Sequence, residues 1–224
     1  MSLWIKICGN TTREDTLLAV DAGADAVGFV FAPSPRRVTV DQVAAIVPHL
    51  PAQIEKIGVF VDAEYDEIVA TVQACGLTGV QLHSHSGADL TAQLRHQLGA
   101  QLRILCVVHF GPDAAAHTAS IAQDPHVDAI LVDSRTAKAV GGTGVTFDWT
   151  EARRTLFQQD QARKPLIAAG GMNAQNVAEA IATLRPWGVD VASGVEAAPG
   201  RKDAEKVREF VARSRAAEQV VLRA

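Results

Sequence analysis

Residues 166–194 read LIAAGGMNAQNVAEAIATLRPWGVDVASG. A short apolar run, Leu166–Ala169, ends in paired glycines. An amphipathic stretch over 174–183 follows, and a second apolar run, Val189–Ala192, ends in another glycine. Within the stretch, apolar residues fall at 174, 177, 178 and 181, the three- and four-residue spacing of one helix face. The flanking runs are too short for helices and carry β-branched residues, so they read as strands buried on both faces. Strand, helix and strand in this order predict a parallel βαβ unit.

The same unit extends outward over the whole chain. Strand candidates are Leu3–Cys8, Ala26–Phe31, Lys56–Val61, Gly79–Leu82, Arg103–Val108, Ala129–Val132, Leu166–Ala169 and Val189–Ala192. Helical segments lie near 12–22, 40–47, 64–74, 87–97, 113–121, 149–157, 174–183 and 203–215, with Thr12 and Asp15, and Asp41 after Thr39, at N-cap positions. Eight units share the 224 residues, roughly 28 each, without a linker. Six would suit a doubly wound open sheet. Eight favour an α/β fold of the (β/α)8 TIM-barrel class, a single domain over residues 1–224. A dinucleotide-binding sheet lacks its signature, since Cys8-Gly9-Asn10-Thr11 follows the first strand where GxGxxG belongs. Residues Ser214–Ala224 show no further unit and read as a short tail or the frayed end of the last helix.

Composition narrows the partners. Hydrophobic residues make up 48%, charged residues 21%, and the net charge is −4. The basic residues are scattered. Their densest group, Arg201, Lys202, Lys206 and Arg208, alternates with Asp203, Glu205 and Glu209 on what reads as a solvated helix, so no nucleic-acid partner is expected. No signal peptide or membrane-spanning run is apparent, and no membrane partner is expected. Cys8, Cys75 and Cys106 share no metal-type spacing and leave one thiol unpaired in any disulfide scheme, which suits a reducing cytoplasm. The choice between monomer and homodimer stays open.

In such a barrel the chemistry lies at the C-terminal strand ends and in the loops that follow. Three glycine clusters follow the last three strands: Gly141-Gly142-Thr143-Gly144, Gly170-Gly171-Met172 and Ser193-Gly194. Glycine lets backbone N–H groups reach an anion, so these loops predict a phosphate site, with a short extra helical turn starting near Gly194. Strand alternation points Trp4, Lys6 and Cys8 into the barrel and Ile5 and Ile7 outward. Cys8 is then a candidate base at the mouth, while Cys75 and Cys106 read as buried packing residues. Asp133, closing the sixth strand, is a candidate proton donor or an Asx-turn residue. Arg36 and Arg37 are both placed to meet a ligand carboxylate, and spacing does not choose between them. His83, His85, His109 and Asp133 suggest a metal site only weakly, because no second carboxylate is aligned with them, and none is expected. Lys6, buried inside, needs a charged partner. Asp190 on the eighth strand lies at comparable depth.

The chain resembles the phosphoribosylanthranilate isomerase family of tryptophan biosynthesis over roughly residues 4–212. The resemblance rests on Lys6-Ile7-Cys8-Gly9, Gly23–Phe31, Ser34-Pro35-Arg36-Arg37-Val38, Gly58–Val61, Val80–His83, Leu131-Val132-Asp133, Gly141–Gly144 leading to Phe147-Asp148-Trp149, Gly170-Gly171-Met172 and Val189–Glu196, in that order. It implies an Amadori rearrangement of a small phosphorylated substrate, with Cys8 as general base, Asp133 as general acid and Arg37 on the anthranilate carboxylate. Gly142, Thr143, Gly144, Gly171, Met172, Ser193 and Gly194 would hold the phosphate. No cofactor is implied, because no hydride or electron leaves the substrate. Asn10 and Ser84-His85 depart from the family pattern. A metal-dependent sugar-phosphate epimerase and a non-catalytic phosphate sensor are the alternatives.

Overall fold

Hydroxyl caps start the first two helices. The Thr12 side chain accepts from the Asp15 amide, and Thr39 forms a capping box with Gln42. A computed structural model describes residues 2–83, 88–134, 148–158 and 164–222. Its strands are β1 (Trp4–Ile7), β2 (Ala26–Val30), β3 (Glu55–Phe60), β4 (Gly79–Leu82), β5 (Arg103–His109), β6 (Ala129–Asp133), β7 (Leu166–Ala169) and β8 (Gly188–Val191). They alternate with α1 (Arg13–Asp21), α2 (Val40–Ile46), α3 (Tyr65–Cys75), α4 (Ala88–Leu98), α5 (Ala114–Ile121), α6 (Trp149–Thr155), α7 (Val177–Leu184) and α8 (Ala204–Val221). All eight strands are parallel, each paired with the next, and β8 closes on β1. Closure excludes the open sheet. No described helix is long and apolar enough to cross a membrane.

Alternation along β1 divides the core in two. Ile5 and Ile7 pack with Val27, Phe29 and the helices, whereas Trp4 joins Ile57, Leu105, Leu131 and Ile167 inside the barrel. Lys6 lies between them on the inner face, with none of its surface exposed. It stands in register with Asp190, and its Nζ donates to Asp190 Oδ1 at 2.7 Å and to Gln81 Oε1 at 2.9 Å. The expected pairing is therefore present. Burial pulls the Lys6 pKa down, but the charges of Asp190 and Cys8 outweigh it and hold the group above the ordinary lysine value.

Two expectations about the C-terminal part are corrected. Residues Ser214–Val221 are no tail, because α8 runs unbroken through them with Ser214, Ala217 and Glu218 buried. The Ser214 hydroxyl bonds back to the Phe210 carbonyl, and Glu218 accepts from the Leu3 amide at 2.6 Å, so the barrel floor holds the helix down. Arg201 and Lys202 are not on a solvated helix. They form β10 (Arg201–Lys202), which pairs antiparallel with β9 (Glu196–Ala198) across the Pro199-Gly200 turn. Lys202 is 7% exposed.

Lys6→Met should cost about 3–5 kcal/mol in a denaturant melt, because it leaves a buried carboxylate unpaired. Adding Asp190→Leu should recover part of that loss. The ammonium's folded pKa is raised, so its contribution should hold through neutral pH and fade only as pH climbs past that value. A single variant as stable as wild type would show that the pair does not hold the seam.

Candidate active site

Cys8 lies one residue beyond β1, where its amide donates to the Val191 carbonyl at 2.8 Å and extends the seam with β8. Its thiol sits over β2 at a residue without a side chain: a Cβ on Gly28 would come within 2.7 Å of Cys8 Sγ and 3.0 Å of Lys6 Cε. Thiol and ammonium therefore share the space that Gly28 leaves open. Asp133 ends β6, three strands away around the same mouth, and is 2% exposed. Gly170, in the left-handed region at φ 87°, makes room for it, since a Cβ there would lie 2.5 Å from Asp133 Oδ1.

The two arginines separate sharply. Arg37 is exposed, and its amide closes a turn onto the Ser34 carbonyl. That turn sends Arg36 the other way, into the mouth, where its Cδ lies 2.6 Å from where a Gly9 side chain would begin. Arg36 is 9% exposed and forks onto Glu196, with Nε 2.8 Å from Oε1 and Nη2 2.7 Å from Oε2. Of the two, Arg36 is the arginine at the mouth, and Arg37, preferred from the resemblance, is exposed. Its hydrogen bond to Glu196 raises its pKa. Burial pushes Glu196 up, but Arg36 and Lys202 outweigh it and keep the carboxylate ionised. Among the described residues nothing accepts from Nη1, so the outer guanidinium edge stays available to a ligand.

Gly171 and Met172 follow β7, and Ser193 and Gly194 open a 3-10 turn, Ser193–Val195, after β8, as the extra turn expected near Gly194 requires. The two loops touch, for a Cβ on Gly194 would fall 1.8 Å from the Met172 carbonyl oxygen. The first amides of such a turn have no partner within it. Gly142, Thr143 and Gly144 lie outside the described residues, as do His85 and Ser84. His83 bonds to Gln81 at 2.8 Å, and its ring centre lies 6.1 Å from that of His109. Asn10, the other departure from the family pattern, is fully buried and donates to the Ile7 carbonyl at 2.8 Å. Among the described residues no three metal-ligating side chains cluster.

Glu196 and Lys202 were not identified by sequence reasoning. The available signal was Pro199-Gly200 between two short runs, a hairpin mark. Lys202 donates to the carbonyls of Cys8 at 2.6 Å and Ala192 at 3.3 Å, and to Glu196 at 3.3 Å. Burial pulls its pKa below the ordinary lysine value, and Glu196 offsets this only in part.

The profile of the N-(5'-phosphoribosyl)anthranilate (PRA) isomerase family matches residues 5–213. The chain belongs to that family. A PRA isomerase of Pelobacter propionicus is 44% identical over 208 residues, covering 92% of this chain and 93% of the relative. The solved PRA isomerase of Thermotoga maritima superposes with a TM-score of 0.82 at 32% identity, covering 96% of this chain and 99% of that one. A further PRA isomerase structure, in complex with reduced 1-(o-carboxyphenylamino)-1-deoxyribulose 5-phosphate, gives a TM-score of 0.79 at 31% identity, with 96% and 99% coverage.

In this PRA isomerase relative the three cysteines differ in environment. Burial pushes the Cys106 thiol up to about 12 and raises Cys75 as well. Iodoacetamide at pH 8 should therefore modify Cys8 first, with activity lost in step, as followed by peptide mass spectrometry. Equal labelling of all three without loss of activity would remove Cys8 from the site.

Proposed function

We propose that this chain converts N-(5'-phosphoribosyl)anthranilate to 1-(2-carboxyphenylamino)-1-deoxyribulose 5-phosphate, a step of tryptophan biosynthesis in the cytoplasm. The observation that carries the reading is one mouth with a thiol and a carboxylic acid at different strand ends and a half-used guanidinium between loops. The phosphorylated ligand in the related complex supports the substrate class.

Asp133 protonates the furanose ring oxygen as the C1'–O bond breaks, and the anilino nitrogen lone pair forms the C1'=N iminium. That iminium acidifies the C2' proton. Cys8, as thiolate, removes it; the C–H electrons become the C1'–C2' double bond, and the iminium pair returns to nitrogen. Tautomerisation of the enol returns a proton to C1' and leaves the ketone at C2'. One base and one acid suffice, and no electron leaves the substrate. The free edge of Arg36 takes the anthranilate carboxylate, while Glu196 holds its other edge, which fixes the guanidinium in advance. Amides of Gly171, Met172, Ser193 and Gly194, together with Gly142, Thr143 and Gly144, hold the phosphate. The three free cysteines suit a reducing compartment.

Loss of the fluorescence of phosphoribosylanthranilate, generated in situ, tests the reading directly. Wild type should turn over without added metal. Cys8→Ala and Asp133→Asn should each lower kcat by about 10²–10⁴-fold. Arg36→Ala should raise KM by about 10–100-fold, the worth of a charged hydrogen bond, and Arg37→Ala by less than about threefold. The opposite order of the two arginines would restore Arg37 to the carboxylate.

A further inference from the structure

We infer that Lys202 is a positioning residue for this reaction, a buried pin whose ammonium fixes the backbone of the base. The inference rests on the proposed function above. Lys202 cannot touch substrate, because its side chain has no exposed surface. An ammonium has three N–H donors, and all three are used: on the carbonyl of Cys8 at 2.6 Å, on the carbonyl of Ala192 at 3.3 Å and on Glu196 Oε1 at 3.3 Å.

These acceptors belong to different parts of the site. The β1–β8 ladder ends where the Cys8 amide meets the Val191 carbonyl. Beyond that point neither strand holds the other through backbone bonds, yet the Cys8 carbonyl and the Ser193–Gly194 loop lie there. Lys202 joins the two carbonyls there, that of Cys8 on one side and that of Ala192, just before Ser193 and Gly194, on the other. Its third bond reaches the carboxylate that forks Arg36. The pin is itself held from behind. Thr11 donates to the Gly200 carbonyl at 2.5 Å, and the Lys202 amide donates to Asp15 at 3.1 Å, so the β9–β10 hairpin is tied to the loop leaving Cys8 and to the first turn of α1.

Of the three, the Cys8 contact is the shortest, and it holds the carbonyl of the residue whose amide is held by Val191. Neither Arg36–Glu196 bond runs through Lys202, so removing the lysine should leave both in place. The loss should therefore fall on turnover rather than on affinity, since a displacement of about 1 Å at a reacting atom can cost on the order of 10²-fold.

Lys202→Met and Lys202→Gln, measured with phosphoribosylanthranilate and normalised to the folded fraction read by near-UV circular dichroism, test this. In Lys202→Met, kcat per folded protein should fall by about 10–100-fold while KM moves by less than about threefold. Lys202→Gln, whose amide keeps two donors, should fall between Met and wild type. A purely structural lysine would lower the folded fraction and leave kcat per folded protein unchanged. That outcome would overturn the inference, as would a rise in KM alone. If neither variant folds, the lysine serves the fold rather than the base, and the inference falls. A wild type with no turnover would overturn the proposed function instead.

Discussion

A closed parallel barrel has to join its first strand to its last, and here the joint contains a charge. Lys6 and Asp190 face each other in register across the β1–β8 seam, with the ammonium wholly out of water. Such a pair contributes little net stability, because desolvation consumes most of the Coulombic gain. Its value is in alignment. A slip by one residue would turn Lys6 into the helix layer and Ile5 or Ile7 into the interior, leaving both charges unmatched. The registers of Cys8 with β2 and of Ala192 with the last loops follow from that single alignment.

Above the pair the seam changes character. Below Cys8 the strands hold one another by backbone bonds; above it a second buried lysine takes over from the ladder. Two ammonium groups therefore bracket the thiol along the strand direction, and Arg36 adds a third cation at the mouth. Only two carboxylates, Asp190 and Glu196, are bonded to these cations among the described residues. The excess positive charge suits the proposed substrate, which carries a carboxylate and a phosphate.

Much of this was legible in the sequence because parallel strands carry a simple code. Alternation in Trp4–Cys8 separated inward from outward residues, and helical spacing in 174–181 separated helix from strand. Depth along neighbouring strands then matched Lys6 to Asp190. The rest depended on turns. Arg36 and Arg37 are adjacent and chemically identical, and only the Ser34–Arg37 turn decides which one faces inward. Lys202 sits in a strand of two residues, too short for any period to register, beside helix charges that disguised it. In α8 the charged run Arg213-Ser214-Arg215 hid a continuing helix face, because Ser214 is buried through a backbone bond rather than by being apolar.

Lys202 and the Cys8 carbonyl it holds lie 194 residues apart in the chain. At the usual pace of about 5–20 residues per second, the ribosome needs about 10–40 s to pass from one to the other. Through that interval Cys8 is a thiol on an incomplete barrel, open to the oxidants that a finished seam keeps out. The thiol proposed as the base has to stay reduced before the fold can shield it.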